Sequence, residues 1–173
     1  MKTPILSLAL MTLAAHPILA DVPSGAFPPS SATPATPSSP ARLGGAVIQN
    51  HCKTPIYIWS VGSTVRPQKT ILPYARYYET FRKDVHTGGI ALKISTERDG
   101  LYTSAPQTIF AYNLVSPDRV WYDLSDVFGD AFRGHPVSLQ PSEPRIYWAD
   151  GVPPAGSQTR VHDPAVDLVL TLC

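Results

Sequence analysis

Charge is scarce in this chain. Only 16% of its 173 residues are Asp, Glu, Lys or Arg, and beyond Lys2 the basic and acidic residues balance at 13 each. A balanced surface has no clustered cationic excess for a phosphate backbone, which excludes nucleic acid as a partner. Asn-X-Ser/Thr is missing: Asn50 is followed by His-Cys and Asn113 by Leu-Val, so N-glycosylation is not expected. After the first twenty residues no apolar run approaches the length of a bilayer crossing, so no integral membrane association is expected. No ten-residue stretch has the 3.6-residue periodicity of an amphipathic helix, which argues against a helical bundle. His51, His86, His135 and His162 fit no metal-ligand spacing, and neither a Gly-x-Ser-x-Gly elbow nor a phosphate-cradling glycine loop is present. No cofactor and no metal are expected. Cysteine is limited to Cys52 and Cys173.

What is present divides the chain into three. Residues 1–20 read as a secretory signal peptide: Lys2 is the basic start, Ile5 to Ala15 a short apolar core, and Ala20 a small residue before the cut. Residues 21–43 read as a tail. From Val22 to Ala41, 17 of 20 residues are Pro, Ala, Ser or Thr, a composition that buries too little apolar surface to fold and suits O-glycosylation. Residues 44–173 read as the folded domain. The last strand ends in Cys173 with no spacer and apolar tail, so no lipid anchor is expected. The two cysteines, in an oxidising compartment, pair most simply into one disulfide closing nearly the whole domain.

The domain alternates with period two. Ile90, Leu92 and Ile94 point one way and Ala91, Lys93 and Ser95 the other; Val166, Leu168, Leu170 and Leu172 form a second such face. Further strands are expected at 46–49, 56–60, 76–81, 108–114, 120–124 and 146–148. Turns are expected at Lys53-Thr-Pro, Asp99-Gly, Ser116-Pro-Asp, Gly134-His-Pro and Gly151-Val-Pro-Pro-Ala-Gly. Many short strands with frequent turns indicate an all-β sandwich or barrel.

The stretch Arg119 to Asp130 is the densest in chemistry, with Trp121, Tyr122 and Phe128 among Asp123, Asp126 and Asp130. It reads as a strand that turns after Leu124 into an acidic loop. Asp123, Asp126 and Asp130 are candidate ligands for a cation or a sugar hydroxyl, although their spacing is not that of an EF-hand, and turn capping serves Asp equally well. Tyr57 and Trp59 lie opposite Ile56 and Ile58, as in a strand covered on both sides. Tyr77 and Tyr78 are adjacent, so one ring faces outward; with Arg76, Arg82 and Lys83 nearby, a basic aromatic patch is a second candidate surface, and Lys93 a further candidate contact.

Gly45-Ala-Val-Ile-Gln-Asn-His-Cys-Lys-Thr-Pro-Ile-Tyr-Ile-Trp, Gly88-Gly-Ile-Ala-Leu-Lys-Ile, Ile109-Phe-Ala-Tyr, Trp121-Tyr-Asp-Leu-Ser-Asp-Val-Phe-Gly-Asp, Gly151-Val-Pro-Pro and the terminal Leu172-Cys173 carry a resemblance. Together they resemble the thaumatin-like proteins, and within them the small fungal branch of antigenic thaumatin-like or Blastomyces yeast-phase-specific proteins. The resemblance implies a thaumatin-like β-sandwich, with the disulfide joining first and last strands, secretion, and a place at or around a fungal cell wall. It also shows departures. A second cysteine pair, usual near the end of the small fungal relatives, is missing from 141–162, so that segment should be looser. Some larger relatives bind or cleave β-1,3-glucan in an acidic cleft, and Ala111 stands where the cleft glutamate would be. Asp123 survives; Phe128 replaces a second aspartate. Glycoside hydrolysis needs two carboxyl groups at a defined separation, so the chain is not expected to be an enzyme.

The expected function is a secreted, non-catalytic extracellular or cell-wall protein: an antigen or adhesin-like binder, or a secreted effector. The alternative is a β-1,3-glucan-binding or weakly hydrolytic protein acting on cell walls. Partners would be a wall polysaccharide or a host surface or matrix protein, and a monomer is expected. Membrane perturbation is disfavoured by the near-zero charge.

Overall fold

The computed structural model describes residues 42–115 and 118–173. The expected signal peptide, nearly all of the expected tail and the first two residues of the Ser116-Pro-Asp turn lie outside them. Among the described residues, eleven strands form two sheets packed face to face. The expected sandwich is what the chain forms.

The five-stranded sheet is ordered β4-β1-β11-β8-β9, from β1 (Gly45–Asn50), β4 (Arg76–Thr80), β8 (Val137–Gln140), β9 (Ile146–Trp148) and β11 (Leu168–Leu172). The six-stranded sheet is ordered β10-β7-β6-β5-β2-β3, from β2 (Ile56–Val61), β3 (Lys69–Ile71), β5 (Ile90–Ser95), β6 (Gln107–Leu114), β7 (Val120–Val127) and β10 (Arg160–His162). β1 and β11 pair in parallel, and the other ladders are antiparallel. One short helix, α1 (Gly100–Thr103), sits between β5 and β6.

Alternation explains the core. Ile48, Leu170 and Leu139 from one sheet meet Ile58, Leu92, Phe110 and Leu124 from the other, all buried in one cluster. The expected face of β5 holds, with Ile90, Leu92 and Ile94 buried. That of β11 starts two residues later than expected, with Leu168, Leu170 and Leu172 buried but Val166 39% exposed and ahead of the strand. β2 is covered on both sides, since Trp59 is as buried as Ile56 and Ile58. Part of that outer cover is Arg98, whose guanidinium stacks over the Tyr57 ring at 5.3 Å.

Cys52 and Cys173 form a disulfide just beyond β1 and β11, with Cα atoms 5.0 Å apart. The parallel pairing of those strands brings the two chain positions together. Residues 141–162 form a segment that reaches both sheets. It supplies β9 to one sheet and β10 to the other, and Arg160 donates from Nε to the Pro144 carbonyl at 2.9 Å.

Candidate functional site

The site begins with two alanines. On the outer face of the six-stranded sheet, Val61, Ala91, Ala111 and Asp123 form one row across β2, β5, β6 and β7. Methyl groups at the two middle positions leave a trough where larger side chains would stand. Gly89 extends the floor: a Cβ there would lie 3.0 Å from the Tyr112 carbonyl oxygen. The result is an open groove of about 420 Å³, within the range of small-ligand sites.

One wall carries the polar and aromatic groups. Trp121, 43% exposed, stands beside Asn113, its partner across the ladder. Asp123 follows on the same face and accepts a hydrogen bond from Thr159 Oγ1 at 3.1 Å. The opposite wall is Val61, Gly62 and Thr87. It is held by Asp84, whose carboxylate accepts from the backbone N–H groups of Thr87, Ser63 and His86 and from the Ser63 hydroxyl. Those bonds, the one from Thr87 foremost, hold its carboxyl well below the usual carboxylate range. Gly62 allows this clamp, since a Cβ there would sit 2.5 Å from Asp84 Oδ2.

The three aspartates do not meet. β7 runs on to Val127 in register with β6, so the expected turn after Leu124 begins four residues later, at Phe128 (φ 62°) and Gly129 (φ 116°). The period of two then sends Asp123 into the groove and Asp126 to the inner face. Asp126 is paired with buried Thr108, whose Oγ1 donates to it at 2.7 Å. Burial, reinforced by the neighbouring charge of Asp130 and opposed by the Thr108 bond, pushes Asp126 up to about 6. Asp130 forms an ion pair with Arg133. Among the described residues no group of three or more His, Cys, Asp or Glu is placed to hold a metal ion.

The tyrosines also part. Tyr78 faces outward on β4 at 46% exposure, on the other sheet from the groove. Tyr77 points inward and donates to Glu79 Oε2 at 2.9 Å. Arg82 turns inward as well, donating to Ser60 and lying 3.4 Å from Glu79 Oε1. Of the expected basic aromatic patch, Arg76, Tyr78 and Lys83 are exposed, while Tyr77 and Arg82 turn inward. Lys93 is on the groove's face of β5, one outward position along from Ala91, between Trp59 and Ile109.

Sequence reasoning missed the interior carboxylate. Glu79 is 6% exposed and receives the Tyr112 and Tyr77 hydroxyls and Arg66. Burial alone would raise its pKa, but hydrogen bonds from Tyr112, Ser60 and Tyr77 and the charge of Arg82 lower it. Burial and the adjacent carboxylate push Tyr77 up to about 12. The signal was the alternation of Arg76-Tyr-Tyr-Glu-Thr, which puts Tyr77 and Glu79 on one face.

A family model, that of the Blastomyces yeast-phase-specific protein, matches residues 33–173. The chain belongs to this family. As a Blastomyces yeast-phase-specific family member it is similar to the antigenic thaumatin-like protein of Arthroderma benhamiae, at 32% identity over 103 residues, 59% of this chain and 50% of that one. It is similar also to the secreted thaumatin-like protein calA of Emericella nidulans, at 30% identity over 108 residues, 62% of this chain and 59% of that one. The matched stretch thus spans between half and three-fifths of these relatives. Among solved structures, the protein elicitor MoHrip2 from Magnaporthe oryzae aligns with a TM-score of 0.61 and 25% identity, covering 75% of this chain and 98% of that one. The family member is a secreted, extracellular thaumatin-like protein.

Proposed function

We propose that this protein is a non-catalytic extracellular binder that holds a neutral polysaccharide in the groove of its six-stranded sheet. The observation that carries this reading is the pairing of an exposed ring, Trp121, with hydroxyl, amide and carboxylate groups on one wall of an alanine-floored trough. An aromatic face takes the C–H face of a sugar, while Asn113, Asp123 and Thr159 offer donors and acceptors to its hydroxyls.

The non-catalytic part rests on a count of carboxylates. Glycoside hydrolysis needs two, roughly 5–10 Å apart across the bond to be cut. Among the described residues lining the groove, Asp123 is the one carboxylate. Ala111 is its direct cross-strand partner. Asp126 faces the other side of the sheet, and Asp84 is occupied by four donors. In this proposal residues 1–20 direct export and residues 21–43 form an O-glycosylated tether.

The test uses the protein's own chromophores. Of its three tryptophans, Trp59 and Trp148 are each 1% exposed and Trp121 is 43% exposed. Titration with soluble β-1,3-gluco-oligosaccharides should shift the emission of Trp121 and protect it from a soluble quencher. Trp121→Phe should remove the signal. Emission and quenching that stay flat at millimolar sugar would overturn the reading.

A second reading is favoured by the structural likeness to a protein named as an elicitor, nearly all of whose chain is covered. Under it, the secreted domain is perceived at a host plant's surface. Infiltrated protein would trigger a defence response in leaf tissue, and inert tissue would remove this reading.

A further inference from the structure

The five-stranded sheet turns a second face to solvent, away from the groove. Register across all five strands aligns Arg76, Gln49, Thr171, Ser138 and Tyr147 in one row. The next row is Tyr78, Val47, Val169 and Gln140, of which Val47 is itself buried and Val169 carries the accessible apolar surface. Both rows alternate with core residues Ile48, Leu170 and Leu139, so they point outward. With strands about 4.8 Å apart, the first row is about 19 Å long.

The middle of this face is a depression of about 460 Å³, lined by Gln49, Ser138, Gln140, Pro141, Val169 and Thr171. None of the six is charged, and four of them carry a side-chain amide or hydroxyl that both donates and accepts. Val169 gives an apolar floor. Arg76 and Arg145 stand at opposite margins and Asp167 lies at the Gly45 end, two residues before Val169, all beyond the lining.

Each margin also carries a half-exposed ring. Tyr78 is 46% and Tyr147 45% exposed. A Cβ at position 45 would lie 2.8 Å from two atoms of the Tyr78 ring, so glycine there lets the ring lie down on the sheet. Tyr147 is braced by Arg145, whose guanidinium is 4.3 Å from its ring centre.

We propose that this face is a second binding site, for an extended neutral oligosaccharide laid across the strands along the Gln49–Thr171–Ser138 row. The charge pattern selects the ligand. An anionic polymer needs cations at the centre, and here the centre is neutral. A protein interface concentrates aromatics at its core, and here they lie at the margins. A neutral sugar chain needs closely spaced groups that donate and accept, with apolar surface for its C–H faces, and the two rows supply both. The site shares a ligand class with the groove but no residue. Two occupied faces would let one molecule bridge two chains across sheets packed about 10 Å apart.

The test uses the full secreted chain and insoluble β-1,3-glucan and chitin as probes. Wild type, Ser138→Arg, Trp121→Ala and the double variant are co-sedimented with each polymer, after circular dichroism and melting confirm that each is folded. Ser138→Arg sets a long cation in the middle of the row, and Tyr147→Ala is a milder second variant. On at least one polymer, Trp121→Ala should keep part of the retention and adding Ser138→Arg should lower it by about tenfold. Ser138→Arg and Tyr147→Ala that both match wild type on both polymers would overturn the proposal. Trp121→Ala abolishing all retention would overturn it too, while leaving the groove in place. Loss with Ser138→Arg but not with Trp121→Ala would support this face and sink the groove. A wild type retained on neither polymer overturns both.

Discussion

The Tyr112 hydroxyl donates to Glu79 Oε1 at 2.5 Å inside the sandwich, joining the middle of one sheet to the edge strand of the other. The bond spans 33 residues of sequence. With Tyr77, Arg66 and Arg82 on the same carboxylate, it makes a buried polar joint where β4 would otherwise be a plain edge.

Removing that carboxylate leaves two phenols and two guanidinium groups without their acceptor. Glu79→Ala should destabilise the domain by about 3–5 kcal/mol. Tyr112→Phe, which removes one charge-assisted bond and keeps the ring against Phe81, should cost about 1.5–3 kcal/mol. Urea unfolding of the two variants measures both, and equal costs would show that the Tyr112 bond alone carries the effect, with Tyr77, Arg66 and Arg82 adding nothing.

The disulfide closes a stretch of 121 residues. Restricting so long a loop in the unfolded chain is worth about 4–5 kcal/mol by the entropy argument. Unfolding with and without reductant should therefore show a large drop in midpoint on reduction. A midpoint unmoved by complete reduction would place the stability elsewhere.

Asp126 gives stability a particular pH dependence. Its folded pKa, about 6, lies above the ordinary 3.8, so between those values the folded state binds the extra proton. Stability from this group is fully present below about 3.8 and is lost as pH rises through 6. Glu79 and Asp84 are lowered and act oppositely: their contribution is present above their ordinary values of 4.5 and 3.8 and is lost as pH falls through the folded ones. The melting temperature should therefore be highest on the mildly acidic side. Asp126→Asn should raise it at neutral pH and have progressively less effect toward pH 4, which melting curves across pH would read directly.

Asp84→Ala removes the acceptor that ties residues 63, 86 and 87 together. The groove wall at Gly62 and Thr87 should loosen, weakening saccharide binding while the Trp121 wall stays intact. Faster amide exchange confined to 62–64 and 84–89 would be the structural signature, and unchanged exchange would remove the clamp from the account.

The fold was legible because the residues that build it repeat every second position. Ile90–Ser95 and Leu168–Leu172 announce their faces by themselves. β3, β8 and β10 were missed because three or four residues with Lys, Ser, Gln, Arg or His among them carry too little alternation to separate from loop, whereas the equally short β9 shows itself as Ile-Tyr-Trp. The groove was half legible. Ala111 and Asp123 could be singled out, but that they are direct partners, with Ala91 completing a trough, is a fact of register. The three aspartates looked like a cluster because they are close in sequence. In a strand, positions 123 and 126 differ by an odd number and face opposite ways.

The most direct measurement is co-sedimentation of the secreted chain with insoluble β-1,3-glucan, with released sugar assayed in the same tube and Trp121→Ala run alongside. The account predicts retention of wild type, reduced by about tenfold in the variant, with no sugar released. Sugar release above the blank would contradict the non-catalytic reading, and retention indifferent to Trp121 would contradict the groove.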